Sequence, residues 1–181
     1  MEYDKVVQER RSIRKFKKEF VEKEKIEKII ECARLCQSAK NRQPWKFIIL
    51  ENKEKDQIAN IMLDLFKQKD IEMPGYMNSS RNSANIILQA PILILVYREK
   101  DDNWLFPDIL SIGAAIEHMC LEAVNLQLGA LWIGDVMYTE EEIRKSTRHE
   151  ELQLVAGIAI GYPDEKPNPR PRKQINEIIV Q

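Results

Sequence analysis

Four short apolar runs, rich in β-branched and aromatic residues, constrain the fold of this 181-residue chain most strongly. Each run is largely continuous and does not alternate with polar residues, as is typical of strands buried on both faces. A sheet buried on both faces must be covered by helices. The pattern therefore predicts an α+β fold around a central sheet, with strands at 45–51, 91–98, 130–136 and 152–162.

Segments with helical periodicity are expected to form the layers that cover the sheet. Four segments place apolar residues three or four positions apart, at 2–10, 22–39, 53–69 and 106–129. The last segment has Pro107 near its start and Gly129 at its end, which are typical start and stop residues. Its apolar residues cover a wide arc, so we expect this helix to be buried in the core or in a dimer interface.

The composition is typical of a soluble globular protein with one domain, since 44% of the residues are hydrophobic and 31% are charged. The formal net charge of -1 means that a nucleic-acid-binding role would depend on a local basic patch. No apolar run approaches the roughly 20 residues that a membrane span requires, and the charged N-terminus lacks a signal-peptide core. We therefore expect a cytoplasmic protein.

The three cysteines and two histidines show no metal-binding pattern. Cys32 and Cys36 lie four residues apart in a predicted helix, which favours a place in the core, and we expect no metal centre. His118 is expected in the core or in an interface, and Trp132 in the core. The six glycines match neither a dinucleotide fingerprint nor a P-loop, so any phosphate must be bound by side chains.

The segment RRSIRKFKK, residues 10–18, has six basic residues and no acid. One interpretation is a solvated basic arm. However, Ile13 and Phe16 are apolar and three residues apart, and Ser12 adds a hydroxyl group between arginines. The segment can therefore also be a packed loop that directs its charges at one place, and a packed basic loop requires an anion.

Two further segments suit the same ligand. SAKNRQPWKF, at 38–47, contains Asn41 and Gln43, whose amide groups can pair with a ring edge that has both donors and acceptors. PRPRK, at 169–173, adds a second basic cluster. Together the segments would suit an anionic group joined to a flat heterocycle, as in a nucleotide-like cofactor.

Four segments of the chain resemble the signature segments of the FMN-dependent nitroreductases. They are RRSIRKF, SAKNRQPWKF, LGALWIGD and GYPDEKPNPRPRK, and they follow the order and spacing of that family over essentially the whole chain. The resemblance implies a mainly antiparallel sheet flanked by helices, with FMN as the cofactor. It also implies an oxidoreductase that uses NADH or NADPH to reduce nitroaromatics, quinones or similar acceptors by a ping-pong mechanism.

The resemblance assigns cofactor contacts to particular residues. The implied cofactor residues are Arg10, Arg11, Ser12, Arg14, Ser38, Ala39, Asn41, Ile133, Gly134, Asp135, Arg170 and Arg172. The first three would bind the phosphate and the ribityl chain, and Arg14 would lie at the N1/O2 edge of the flavin. Residues 38–41 would come from the partner subunit, 133–135 would direct a backbone amide at flavin N5, and the last two arginines would close over the phosphate. The chemistry would belong to FMN, so no catalytic side chain is implied.

The C-terminal tail is expected to leave the body of the protein. Four prolines within residues 163–171 disfavour helix and sheet interior, and they precede a last apolar segment, INEIIV. That segment suggests a strand that pairs with a second subunit, and a floppy terminus is the alternative. We expect one FMN-binding domain at 1–161, an extension at 162–181 that packs on the partner, and a homodimer that exchanges these arms.

Other functions stay open from the sequence. A nucleic-acid-binding module that uses the basic loop would show no flavin colour and would bind more weakly as salt is raised. A relative with another flavin role, in dehalogenation, flavin degradation or flavin storage, would keep the fold and FMN. We expect NAD(P)H and a small electron acceptor as partners, with neither nucleic acid nor membrane. Segments 70–89 and 101–107 receive no assigned role in the substrate site.

Overall fold

A computed structural model describes residues 1–67 and 78–180 of the chain. Its strands are β1 (Trp45–Glu51), β2 (Ile92–Glu99), β3 (Gly129–Ile133) and β4 (Leu152–Gly161). They form one antiparallel sheet in the order β1-β2-β4-β3. The predicted α+β fold with a mainly antiparallel sheet is therefore confirmed.

Six α-helices cover the sheet within the described ranges. They are α1 (Tyr3–Glu9), α2 (Lys23–Arg34), α3 (Asn52–Asp64), α4 (Asn78–Gln89), α5 (Leu105–Asn125) and α6 (Glu140–Thr147). Alternate side chains of β2 enter two hydrophobic clusters, one with α2 and α5 and the other with α3, α4 and α6. The sheet therefore lies between two helical layers, as the continuous apolar strands predict.

Two predicted strands differ from the observed ones. The prediction of strand through 136 is wrong, because β3 ends at Ile133 and Asp135–Thr139 forms a 3-10 helix. Burial on both faces is wrong for β1, where Ile49 is exposed. β1 is an edge strand, and the order of strands in a sheet is not visible in the pattern of a single strand.

The predicted helices all form, but they are shorter at one or both ends than their sequence segments, and residues 68–69 lie outside the described ranges. α4 and α6 were not predicted. Only the second half of α4 carries a clear apolar pattern, and Ile143 is the buried residue of α6. Neither helix shows the sustained period on which such a prediction depends.

The apolar residues of α5 are explained by the packing of this helix in the core. By length and composition alone, Asp102–Asn125 could cross a membrane, since it contains an 18-residue window with a mean hydropathy of 1.2. In the fold, Ile112, Ile116 and Met119 are fully buried between α2 and the sheet. Phe106 and Leu110, near the start of the same helix, are exposed. The expected burial of this helix in the core is therefore confirmed for one side of it.

Within the single chain, the C-terminal tail forms no strand, and pairing of INEIIV with a second subunit stays a prediction. Residues 165–174 have no regular structure, and Ile175–Glu177 forms one turn of 3-10 helix. The isoleucines of this segment and Val180 are 59% to 96% exposed. A strand needs a neighbouring backbone to pair with, and the prolines hold the tail away from the chain's own sheet.

Candidate cofactor site

The basic loop, residues 10–18, is a packed part of the fold. Ile13 and Phe16 are both buried. The amide of Ile13 donates to the carbonyl oxygen of Ala130 in β3 at 3.0 Å. The basic side chains of Arg14, Lys15, Lys17 and Lys18 are exposed. The interpretation of this segment as a packed loop, made from its two apolar residues, is therefore confirmed.

Two glycines allow the basic loop to approach the sheet closely. A Cβ atom at Gly129 would lie 2.7 Å from Cγ1 of Ile13, and one at Gly161 would lie 3.1 Å from Cδ1 of Phe16. Both distances are shorter than ordinary carbon contacts. Gly129, at the start of β3, thus sets the distance between the loop and the sheet. Gly161, at the end of β4, is required first by Pro91, whose Cδ would lie 2.5 Å from the same Cβ.

A cavity of about 350 Å³ lies between the basic loop and the C-terminal tail. Its lining residues are Val7, Gln8, Arg10, Arg11, Ser12, Arg14, Pro167, Asn168, Pro169, Arg170 and Arg172. The volume is within the range of about 300–1,000 Å³ that is usual for ligand pockets. The two basic clusters, which are distant in sequence, therefore meet around one cavity.

The arginines of the cavity are only partly neutralised. Nε of Arg10 lies 3.3 Å from Oε1 of Glu117. Nη1 of Arg14 donates to the carbonyl oxygen of Ser12 at 3.2 Å. Nη1 of Arg11 donates to two main-chain carbonyl oxygens at 2.7 Å, while its Nε is buried without a partner among the described residues. The cavity is therefore positively charged and has donors that an anion can use.

The amide loop, residues 38–43, has an unusual backbone. Lys40, Asn41 and Gln43 have positive φ angles of 50°, 55° and 50°. Non-glycine residues rarely adopt this conformation, and it is frequent at functional sites. Within the loop, the amide of Gln43 donates to Oγ of Ser38 at 3.0 Å, and the amide of Asn41 donates to the carbonyl oxygen of Ser38 at 2.9 Å. Local hydrogen bonds therefore hold this loop in one shape.

The amide loop is anchored on the first turns of α5. The amide of Ala39 donates to Oγ of Ser111 at 3.1 Å. Nε of Arg42 donates to Oδ1 of Asp108 at 3.2 Å, and this carboxylate raises the pKa of the Arg42 guanidinium. The same guanidinium stacks 4.4 Å from the ring centre of Trp104. Residues 101–107, which had no assigned role, thus help to hold the amide loop.

The end of β3 leaves a backbone segment open. Gly134 is exposed, and apart from Gly134 and its two chain neighbours no atom of the described residues lies within 4 Å of the position that a Cβ would take. Ile133 before it is buried, and Asp135 after it accepts hydrogen bonds from Ser79 at 3.0 Å and Ser83 at 2.5 Å. Sequence reasoning missed these two serines of α4, since their segment matched no family signature.

Trp132 and His118 are both exposed within this chain. The prediction that Trp132 lies in the core is wrong, because its side chain is 45% exposed. Within this chain His118 is exposed as well, with Nδ1 at 2.9 Å from the carbonyl oxygen of Ala114. Trp132 lies on β3, an edge strand of the sheet, which local hydrophobicity does not reveal. A place of His118 in an interface stays a prediction, because one chain does not test it.

The twelve implied cofactor residues fall into three places. The cavity brings together Arg10, Arg11, Ser12 and Arg14 with Arg170 and Arg172. Residues 38–41 and 133–135 do not line it. That residues 38–41 reach the site of a partner subunit stays a prediction, because one chain does not test it.

The cysteines are unsuited to nucleophilic chemistry. Burial raises the pKa of the Cys120 thiol to about 12, and burial also raises the pKa values of Cys32 and Cys36. The thiolate form is therefore rare at neutral pH. Within residues 1–67 and 78–180, no group of three His, Cys, Asp or Glu side chains could hold a metal ion. The arginine cavity is thus the principal candidate site of the described chain.

The chain is similar to known sequences over most of its length. The chain is 31% identical over 168 residues to an Archaeoglobus fulgidus protein provisionally named NADH dehydrogenase/NAD(P)H nitroreductase, covering 90% of this chain and 86% of the relative. It is 28% identical over 193 residues to the iodotyrosine deiodinase of Thermotoga neapolitana, covering 100% of this chain and 97% of that enzyme.

Solved structures share the fold. The FMN and NADPH-dependent nitroreductase NfnB of Sphigopyxis sp. strain HMH aligns with a TM-score of 0.82 at 18% identity, over 100% of this chain and 99% of its own. A Desulfovibrio desulfuricans protein in complex with FMN, provisionally named a nitroreductase, aligns with a TM-score of 0.79 at 24% identity, covering 99% and 95%. Residues 7–162 match the family model described as Nitroreductase family, and the chain therefore belongs to the nitroreductase family.

Proposed function

We propose that this protein is an FMN-dependent oxidoreductase that takes electrons from NADH or NADPH and passes them to a nitroaromatic, quinone or similar small acceptor in a ping-pong cycle. The observation that carries the proposal is the cavity where the basic loop and the tail meet. FMN and NADPH are named for NfnB, and NAD(P)H is named for the Archaeoglobus relative. These names support the proposal, and the basic cavity gives a chemical reason for it, because its residues can bind the phosphate of FMN.

The residues of the cavity fit a phosphate group. Guanidinium groups can donate two parallel hydrogen bonds to a phosphate, and Ser12 adds a hydroxyl donor. Nε of Arg11, which is buried without a partner among the described residues, is a donor that a ligand could satisfy. We therefore assign the phosphate to Arg10, Ser12, Arg170 and Arg172, with Arg11 at the phosphate or the ribityl chain.

The remaining implied residues would hold the flavin ring. Arg14 lines the same cavity as the phosphate residues. The open backbone at Gly134, between Ile133 and Asp135, is a suitable place for close approach of a flat ring. Ser38, Ala39 and Asn41 would come from a second subunit, and their fixed loop suits that role because it requires little ordering on binding.

The chemistry needs little from the side chains beyond binding. Bound FMN supplies hydride and electron transfer, while the protein binds it, orients it and tunes its electronics. Arg14 would favour negative charge at the ring edge that it faces. No catalytic acid, base or nucleophile of this chain is proposed.

We expect Arg14→Ala to keep part of the bound FMN and to lower its reduction potential. A charge-assisted hydrogen bond of about 1.5–3 kcal/mol corresponds to roughly 30–65 mV for a two-electron couple. The potential is measured by equilibration with reference dyes. Lys18→Ala, which removes an exposed charge from the same loop, is the control. An unchanged potential in loaded Arg14→Ala would show that Arg14 does not face the ring.

We also propose a cytoplasmic homodimer in which each C-terminal extension packs on the partner. The exposed isoleucines of the tail support this, because apolar side chains in water favour association. Truncation after Gln174 removes them and keeps both tail arginines. We expect the truncated protein to dissociate at concentrations where the full chain is dimeric, as measured by sedimentation. A truncated dimer of unchanged stability would contradict the packing of the extension on the partner.

A second candidate function keeps FMN and changes the acceptor to a halogenated aromatic compound. It is favoured by the relative named iodotyrosine deiodinase, which aligns over the whole chain. Another relative, named 5,6-dimethylbenzimidazole synthase, is 24% identical and shows that names in the family vary.

One experiment tests the proposed function and its alternative. The absorbance spectrum of the purified protein should show one FMN per chain, and NADH or NADPH should bleach it without oxygen. A nitroaromatic, a quinone and a halogenated tyrosine are then added separately to the reduced protein. Reoxidation by the halogenated tyrosine alone would favour the second function. A colourless protein that does not bind added FMN would contradict both.

A further inference from the structure

One carboxylate joins the basic loop to the C-terminal tail. Oε1 of Glu165 accepts a hydrogen bond from the amide of Arg14 at 2.5 Å and another from the amide of Lys15 at 3.2 Å. The amide of Asp164 donates to the carbonyl oxygen of Lys15 at 2.9 Å. Residues 163–165, which we call the tail clamp, thus lie directly against the loop.

Glu165 accepts hydrogen bonds from backbone amides of the loop that do not bond to the sheet. The amide of Ile13 bonds to β3, and the amide of Lys17 donates to the carbonyl oxygen of Tyr162 at 2.9 Å. Between them, in the described parts of the chain, the amides of Arg14 and Lys15 have the Glu165 carboxylate as their acceptor. The Glu165 carboxylate therefore extends the hydrogen bonding of the loop backbone beyond the end of β4.

The charge of Glu165 is also well placed. The loop is basic at Arg14 and Lys15, and the tail is basic at Arg170 and Arg172, so the two segments repel each other when no anion is bound. Glu165 is the acid between them that contacts the loop backbone. Arg170 and Arg172 follow it closely in sequence and line the same cavity as the loop.

We propose that Glu165 is a positioning residue for the phosphate end of the cofactor site. It holds the tail on the basic loop, so that Arg170 and Arg172 face the same anion as Arg10 and Ser12. The inference rests on the proposed function, because it assigns the anion as the phosphate of FMN. It predicts that Glu165 affects recognition of the phosphate and not of the ring.

The test compares FMN with riboflavin, which has the same ring and ribityl chain but no phosphate. We expect Glu165→Ala to raise the dissociation constant of FMN about tenfold or more, and that of riboflavin less than about threefold. Glu165→Gln keeps an oxygen that can accept from both amides, so its FMN affinity should stay within about threefold of the wild type. Glu27→Ala, an exposed charge on α2, is the matched control.

Two results would overturn the inference. One is FMN binding by Glu165→Ala that equals that of Glu27→Ala. The other is an equal loss of FMN and riboflavin affinity, which would mean that Glu165 supports the fold in general. A Glu165→Gln protein as weak as Glu165→Ala would overturn the assignment of this role to the two hydrogen bonds and leave it to the charge of Glu165 alone.

Hydrogen exchange separates this inference from the proposed function. In the purified protein, the amides of Arg14 and Lys15 should exchange faster in Glu165→Ala than in the wild type, with no change in Glu27→Ala. Unchanged exchange would refute the tail clamp whether or not FMN binds. If these amides exchange faster in Glu165→Ala but the wild type binds FMN no more tightly than riboflavin, the tail clamp is supported and the phosphate assignment is refuted.

Discussion

Replacement of Arg10 and Arg172 together by alanine is expected to remove most of the FMN from the purified protein. The two residues line one cavity from opposite sides, one from the basic loop and one from the tail. A hydrogen bond to a charged group contributes about 1.5–3 kcal/mol, so two lost contacts weaken binding by about 3–6 kcal/mol, or roughly 10²- to 10⁴-fold. Flavin absorbance per chain and the FMN dissociation constant measure this loss.

The double variant should fold, because Arg10 and Arg172 are not core residues. Arg10 loses an ion pair with Glu117, whose side chain is about half exposed, and such pairs contribute little to stability. Lys23→Ala with Arg34→Ala removes two positive charges from exposed pairs on α2 and is the matched control. Full flavin occupancy in Arg10→Ala with Arg172→Ala would refute the phosphate assignment.

The layers of the fold could be predicted from the sequence because each layer is encoded locally. The continuous apolar strands and the period of α5 need no knowledge of distant contacts. The order of the strands, the exposure of Trp132 and the limits of β3 depend on which element lies next to which. α4 and α6 escaped prediction because each contributes few side chains to the core.

The candidate site, like the fold, has some features that could be predicted from the sequence and others that could not. Charge clusters and family resemblance predicted that the basic loop and the tail share a ligand, and the structure places both around one cavity. The acids that organise these basic residues were not predicted. Glu165 and Asp108 are ordinary acidic residues in sequence, and only the fold brings them to the backbone of the loop and to Arg42. Long-range electrostatic pairs of this kind have no spacing that a sequence pattern could reveal.

Asp108 is the centre of a buried charge network beneath the amide loop. Asp108 and Arg98 are each about 1% exposed. Oδ1 of Asp108 accepts from Nε of Arg42 at 3.2 Å, and Oδ2 lies 3.9 Å from Nη1 of Arg98, a charge pair without a direct hydrogen bond. Arg98 is further held by Gln153, whose Oε1 accepts from its Nε at 2.5 Å.

We expect Asp108→Ala to lower the free energy of unfolding by about 3–5 kcal/mol, because removal of one partner leaves a buried guanidinium group without its counter-charge. The change is measured from urea unfolding curves of the full chain. Asp102→Ala is the matched control, since Asp102 lies 4.0 Å from Nη2 of the same Arg98 but is fully exposed. We expect no measurable change there, because solvent screens an exposed pair. Equal stability of the two variants would show that Arg98 does not depend on Asp108, and that the hydrogen bonds of its guanidinium group are sufficient to keep this charge in the core.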